Sequence, residues 1–310
     1  LYYSFNTYLR QRFGQRVQKI TLDAGLTCPN RDGTRGSGGC IYCDSRGSGT
    51  GAAARYADIR EQAIAGKDFL ARRYKAQKFI AYFQSFCNTY GPPATLRAIY
   101  DAATGIPGVV GLAVATRPDC LSPAVLKLLS SYAERYMVWL ELGLQTMHDA
   151  TLRLINRGHT WREFLNGYHL ARSYPLLVCV HVIIGLPGEG PDEVHATARE
   201  VARLSPDGIK IHSLYVNRGT ALEKLLHAGT FQPLAQHEFA GLACDFLELL
   251  PGSTVIQRLT GDPNRRELVA PLWSLRKQET LNMIAGELRQ RQSRQGEKYT
   301  ETPREGKVQN

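Results

Sequence analysis

Short runs of β-branched and aromatic residues alternate along this chain with longer segments of helical period, and this alternation restricts the fold more than any other feature. Six runs read as strands, at 18–22, 78–83, 109–115, 137–142, 178–184 and 209–215. Between them lie helical segments at 57–74, 93–103, 123–132, 161–172 and 192–204, introduced by Gly91, Ser122 and Thr160 at three of the starts. The spacing is too long for hairpins, so each strand returns through a helix to a parallel neighbour, and right-handed crossovers curl such a sheet into a full or partial barrel. The expected fold class is α/β, a partial (β/α)6 TIM-like barrel over 18–230 behind a basic, aromatic N-terminal segment at 1–17. After the sixth strand come helical stretches at 221–227 and 234–250, a short apolar run at 254–259 and a long helix at 274–291, and the part from 231 to 292 reads as an appended C-terminal extension. Residues 293–310 are polar, charged and poor in large apolar side chains, and are expected to be disordered.

The loop after the first strand carries Cys28, Cys40 and Cys43 in the run CPNRDGTRGSGGCIYC, a C-x11-C-x2-C spacing. In a barrel of this kind that loop falls at the C-terminal mouth, where chemistry collects. Three thiolates can hold a 4Fe-4S cluster and leave one iron open to a small molecule, unlike a four-cysteine electron carrier. Gly33, Gly36, Gly38 and Gly39 let the backbone wrap closely around such a group and aim amides at sulfur. C-x2-C is also a zinc half-site, so zinc held by the three with Cys87 or a histidine is the competing reading of the loop. The function that goes with it is a non-catalytic, zinc-stabilised RNA-binding module. Cys87, Cys120, Cys179 and Cys244 read as small core or loop residues.

A net charge of +10 and a pI near 9.3 favour a polyanionic partner, nucleic acid first. Arg10, Arg12, Arg16 and Lys19 interleave with Tyr2, Tyr3, Phe5, Tyr8 and Phe13, a mixture that suits phosphate contact and base stacking or, alternatively, plugs the bottom of a barrel. Arg258, Arg265, Arg266, Arg276, Lys277 and Arg289 offer further phosphate contacts, with Trp273 as a stacking platform. Seven cysteines, three of them in one loop, do not suggest a secreted disulfide scaffold. No apolar run reaches the roughly 20 residues of a membrane span and no leader is visible, so a soluble cytoplasmic protein without a membrane partner is expected. Glu141, alone in an apolar strand, must be paired or part of a site. Arg117, just before Pro118, binds an anionic group or anchors Asp119, and His212 faces the mouth or packs inside.

The motifs LDAGLTCPNRDGTRGSGGCIYC, FQSFCNTY, ATRPDCL, LELGLQT, INRGH, HVIIGLPGE, KIHSLYV, RLTGD and APLWSLRK carry a resemblance that spans nearly the whole chain. By them it resembles the radical S-adenosylmethionine (SAM) proteins of the YhcC and YtqA group and, more distantly, the Elongator catalytic subunit and oxygen-independent coproporphyrinogen oxidase. The resemblance implies a 4Fe-4S cluster on Cys28, Cys40 and Cys43 with S-adenosyl-L-methionine as the second cofactor, cleaved reductively to a 5′-deoxyadenosyl radical. It implies cofactor contacts from Gln84, Ser85 and Asn88 after the second strand, Gln145 and Arg157 around the fourth, and His181, Ile183 and Gly185 on the fifth. Arg117 and Glu141 complete the candidate set. Distant relatives have a glutamate at the end of strand three and an aspartate in strand five, where this chain has Ala115 and His181, so some contacts are expected to be redistributed. The resemblance further implies processing of the wobble uridine of tRNA from its carboxymethylaminomethyl to its aminomethyl form, an electron donor of the flavodoxin or ferredoxin type, and a tRNA methyltransferase in the same pathway. A radical enzyme acting on a small metabolite or a tetrapyrrole is the alternative enzyme reading.

Overall fold

The computed structural model describes residues 1–47, 49, 51–56 and 58–300. Residue 57, where the first long helix was expected to start, and residues 301–310 of the expected disordered tail lie outside the described residues.

Six parallel strands follow one another across one sheet in chain order: β1 (Val17–Leu22), β2 (Lys78–Phe83), β3 (Val109–Thr116), β4 (Met137–Gln145), β5 (Leu177–Ile184) and β6 (Gly208–Ser213). Helix α1 (Phe5–Phe13) precedes β1, and α2 (Ile59–Tyr74), α3 (Pro93–Thr104), α4 (Pro123–Ala133), α5 (Asp149–Leu154) with α6 (Trp161–Arg172), and α7 (Pro191–Leu204) make the crossovers. Local chemistry sets the helix starts. The Ser122 hydroxyl accepts from Val125 N–H at 3.3 Å, and Thr160 and Glu163 form a reciprocal capping box at α6.

The count of six strands needs correction. After β7 (Val216–Asn217), α8 (Ala221–His227) and α9 (Gln236–Leu249), the run assigned to the appended layer forms β8 (Val255–Arg258), a seventh strand parallel to β6 with Gly208 opposite Val255 and Ile209 opposite Ile256. Both Val255 and Ile256 are buried, and Ile256 N–H donates to the Tyr3 carbonyl at 2.8 Å, so the N-terminal segment covers the outer edge of this last strand. β9 (Leu268–Ala270) pairs antiparallel with β7, and α10 (Lys277–Gln290) packs on α9, which packs on α7.

The stretch from 293 to 299 is not loose. Gln295 Nε2 donates to the Pro251 and Thr254 carbonyls at 2.7 and 2.8 Å, its Oε1 accepts from Tyr3 N–H at 2.9 Å, and Lys298 N–H reaches the Glu248 carbonyl at 2.9 Å. One buried amide satisfies three backbone groups there, which composition alone does not disclose.

Along the sheet's concave face the lower interior is apolar. Trp139 is fully buried, with Phe5 and Tyr8 of α1 edge-on to its indole at 5.9 and 5.7 Å. The N-terminal aromatics therefore plug the base of the barrel instead of offering faces for nucleobases. Lys19, grouped above with the phosphate contacts, points inward and pairs with Glu141.

Candidate functional site

Where the strands end, a cavity of about 330 Å³ opens. Thr21 from β1, Tyr82 and Gln84 at β2, Ala115 to Arg117 at β3, Gly143 and Gln145 at β4, His181 and Ile183 at β5, His212 to Leu214 at β6 and Arg258 at β8 line it, as do Cys28, Cys40 and Cys43 from the loop after β1. Nine of the thirteen candidate residues thus share one cavity: the three cysteines, Gln84, Arg117, Gln145, Arg157, His181 and Ile183.

The cysteine loop is fastened to itself and to the far side of the mouth by groups that spacing did not reveal. Arg31 Nη2 donates to the carbonyls of Cys43 and Asp44 at 2.9 and 2.6 Å. Asn156 Nδ2 donates to the Ser37 and Gly39 carbonyls, and Asn30 Nδ2 donates to the Asn156 carbonyl at 2.6 Å. Gly158, at φ +72°, lies against Asn30, where a Cβ would approach Asn30 Oδ1 to 2.5 Å. Two residues other than glycine also hold left-handed backbone at the cavity wall, Phe86 at φ 57° and Gln145 at φ 83°. Such conformations are held only where the surroundings over-determine them.

Arg157 is buried and fully engaged. Its Nη1 donates to Cys40 Sγ at 3.6 Å, its Nη2 to the Gly143 carbonyl at 2.6 Å, and its Nε to His159 Nε2 at 3.0 Å. Burial, with Arg157 and Arg117 beside it, pushes His159 down to about 3, which keeps the ring neutral and its Nε2 an acceptor. His159 was missed by sequence reasoning although it ends the INRGH motif. Arg117 grips Asp119 through two 2.9 Å contacts and donates to the Arg157 carbonyl at 2.6 Å, so the anchoring alternative describes its bonds. Both arginines shape the wall instead of offering free cations to a ligand. The Cys28 thiol is held down to about 6, first by the Cys87 thiol, which hydrogen-bonds to it, then by Asn30 N–H and by Arg117 and Arg157. Cys87, read above as a core residue, is both buried and part of the cavity wall.

Four candidates fall outside the lining. Ser85 is buried with its Oγ unpartnered among the described residues. Asn88 braces strand ends, its Nδ2 donating to the Ser85 and Ala115 carbonyls. Gly185, at φ +92°, packs against Leu234. Glu141 is fully buried below the cavity floor, accepting from Lys19 at 2.9 Å, from His181 at 3.0 Å and from Lys210. Its carboxyl stays well below the usual range although burial opposes this, because Lys19, Lys210 and His181 surround it. Trp273 is no stacking platform: it is buried against Phe239, with its indole N–H on the Leu234 carbonyl at 2.9 Å.

The residues present fit an iron–sulfur cluster and an ionic small molecule. Three cysteines face one cavity, a guanidinium donates to one sulfur, and a second thiol is held toward its thiolate. Among the described residues no group of three or more histidine, cysteine or acidic side chains is placed to hold a single metal ion.

The Radical SAM superfamily model matches residues 33–201 and the Radical SAM C-terminal domain model matches 206–290. Cys40 and Cys43 lie inside the first match and Cys28 just before it. The uncharacterized protein YtqA of Bacillus subtilis is 41% identical over 95% of this chain and 92% of its own length. The tRNA uridine(34) acetyltransferase of Dehalococcoides mccartyi is 33% identical over 49% of this chain and 33% of its own. Among solved structures, the Elp3 protein of Methanocaldococcus infernus shares the fold with a TM-score of 0.69 at 17% identity, covering 90% of this chain and 64% of that one.

Proposed function

This chain belongs to the radical SAM superfamily, and from that premise we propose that Cys28, Cys40 and Cys43 hold its cluster at the barrel mouth and that the enzyme remodels the wobble uridine of tRNA. Enzymes of the superfamily work with a 4Fe-4S cluster and SAM. Bound here, these groups supply one-electron chemistry that removes a hydrogen atom from a substrate held close by. What remains for the protein is placement and exclusion of water. Arg157, locked by His159 and the Gly143 carbonyl, holds its N–H on Cys40 Sγ and fixes the position of that ligand. Gln84, Gln145, His181 and Ile183 face the space beside the sulfurs and are the side chains proposed to orient the methionine and nucleoside parts of SAM. Ser85, Asn88 and Gly185 support that wall from behind.

The observation that carries this reading is the convergence of three loop cysteines with those polar groups on one cavity at the strand ends. For the substrate, support comes from the partial similarity to a protein named as a tRNA uridine(34) acetyltransferase, from the net charge of +10, and from exposed Arg265, Arg266, Arg276, Lys277 and Arg289 around the C-terminal layer. The reaction proposed is conversion of a carboxymethylaminomethyl side chain at uridine C5 to the aminomethyl form: a hydrogen atom is abstracted from the methylene beside the carboxylate, the resulting radical gives one electron back to the electron-carrier protein, and water hydrolyses the imine so formed, releasing the carboxymethyl unit as glyoxylate. A flavodoxin- or ferredoxin-type protein delivers the electron, and a tRNA methyltransferase takes up the product. Mass spectrometry of tRNA nucleosides from cells with and without the protein tests the substrate: the carboxymethylaminomethyl form should accumulate when it is absent. An unchanged wobble-uridine profile refutes the tRNA assignment. Anaerobic preparations lacking iron and sulfide would refute the cluster.

A further inference from the structure

Beneath the cavity floor the barrel interior holds more cationic than anionic groups. Among the described residues Glu141 is the single carboxylate there, and two ammonium groups meet it: Lys19 at 2.9 Å, which also donates to Gln257 Oε1 at 2.8 Å, and Lys210, which also donates to the Tyr82 hydroxyl at 2.8 Å. His181 Nε2 takes a third position at 3.0 Å, and the His212 ring lies 5.5 Å from that of His181. Above them, in the cavity itself, stands Arg258. Four arginines line that cavity. Arg31, Arg117 and Arg157 are committed to carbonyls, Asp119 and Cys40, as described. Arg258 has Asp262 at 3.9 Å, and that carboxylate is 55% exposed at the rim.

Charge left uncompensated in a low-dielectric interior is costly, and an enclosed cation is retained where something answers it. Burial pushes Lys210 down to about 7 although Glu141 opposes this, so an anion bound nearby favours its charged form. Tyr82, Tyr215 and His212 also face this space and are kept neutral at pH 7 by burial, and Asp262, shared between Arg258 and Lys277 at 3.9 and 3.3 Å, adds a negative charge at the rim.

We propose that this end of the cavity, Arg258 with Lys210 and Lys19 behind it, is a subsite for a carboxylate borne by the reacting side chain of the substrate. The proposal rests on the reading that the substrate reacts in this cavity, and it specifies which part of the substrate enters: the acidic end. The cysteines, the Arg117–Arg157 pair and the proposed cofactor contacts stand on the loop and on β2 to β5, whereas Arg258 and His212 come from β8 and β6, so the acidic group takes the end of the cavity beyond the cofactor's wall.

Equilibrium dialysis of the cluster-reconstituted, SAM-loaded full chain under anaerobic conditions tests this, with N-acetylglycine and its uncharged amide as probes. The carboxylate should bind about tenfold more tightly than the amide, the size of effect a charge-assisted contact gives. Arg258→Gln and Lys210→Met should each erase that preference. Equal binding of the two probes by the wild type, or a preference that survives in Arg258→Gln, overturns the proposal. A preference present only when SAM is omitted assigns the floor to the cofactor's own carboxylate and also overturns it. Should Lys210→Met not fold, Arg258→Gln, at a partly exposed position, still decides. The readout is separate from the tRNA reading: an unchanged wobble profile with intact carboxylate preference refutes that reading alone, and the reverse pattern refutes the subsite alone.

Discussion

Trp139 and Glu141 stand two residues apart on β4, both fully buried and both facing the interior of the curled sheet, yet they belong to different kinds of interior. Around Trp139 the base is closed by rings and aliphatic side chains, Phe5, Tyr8, Met137 and Cys179 among them. Around Glu141 every neighbour that matters is polar or charged, and each is held by a directed bond. An apolar layer tolerates many fillings of the right volume. A buried ionic layer does not, because removing one member strands the others. The lower layer therefore reads as the part that keeps the barrel closed, and the upper as the part that fixes the field and geometry under the reaction cavity.

That division can be broken in several ways. The largest effect is expected at the mouth: Cys40→Ala should lower 5′-deoxyadenosine formation about a thousandfold or more, roughly 4 kcal/mol in barrier terms, while the apo chain melts near the wild-type temperature. A large fall in melting temperature would show that mouth and base are not separable. Next comes Trp139→Ala, expected to cost about 3–5 kcal/mol in urea unfolding, with turnover per folded molecule retained. If turnover falls in step with the core's stability, the base is more than a closure. Glu141→Gln lies between the two regions and should cost about 3 kcal/mol, part of it recovered when Lys210→Met is added, because the second change removes the stranded ammonium. Strict additivity in that double-mutant cycle would mean that the two groups do not act as a pair.

The smallest effect is a pH dependence. Burial pushes His181 down to about 4, with the Lys210 ammonium adding to the shift, so between pH 4 and 6.5 the unfolded chain binds a proton there that the native chain does not. Stability should therefore climb with pH across that window, and His181→Gln should flatten the climb. An identical slope in the variant would place the titration elsewhere.

Much of the frame could be read from the sequence because it is local. The six leading strands are apolar runs bounded by turns, and Ser122 and Thr160 announce α4 and α6 within a few residues of themselves. The seventh strand escaped because Val255–Arg258 is four residues long and looks no different from a loop hydrophobe. The cysteines and the polar strand ends were legible for the same local reason, being clustered motifs. The ionic layer was not. Lys19, Lys210 and His181 are 122, 69 and 40 residues from Glu141, and periodicity along one segment carries no information about which distant segment will face it. Trp273 misled for a related reason: its basic neighbours suggested an exposed surface, whereas a short turn, Leu272–Leu275, rolls the indole inward onto Leu234.

The contact between the two ends of the described chain has a practical consequence. Gln295 N–H donates to the Leu1 carbonyl at 2.9 Å, and the Gln295 side chain bonds Tyr3, Pro251 and Thr254, so residues 1 and 295 meet beside the plugged base and away from the cavity. A tether attached near residue 1 or 295 would hang the molecule from its closed side and leave the opening facing solution.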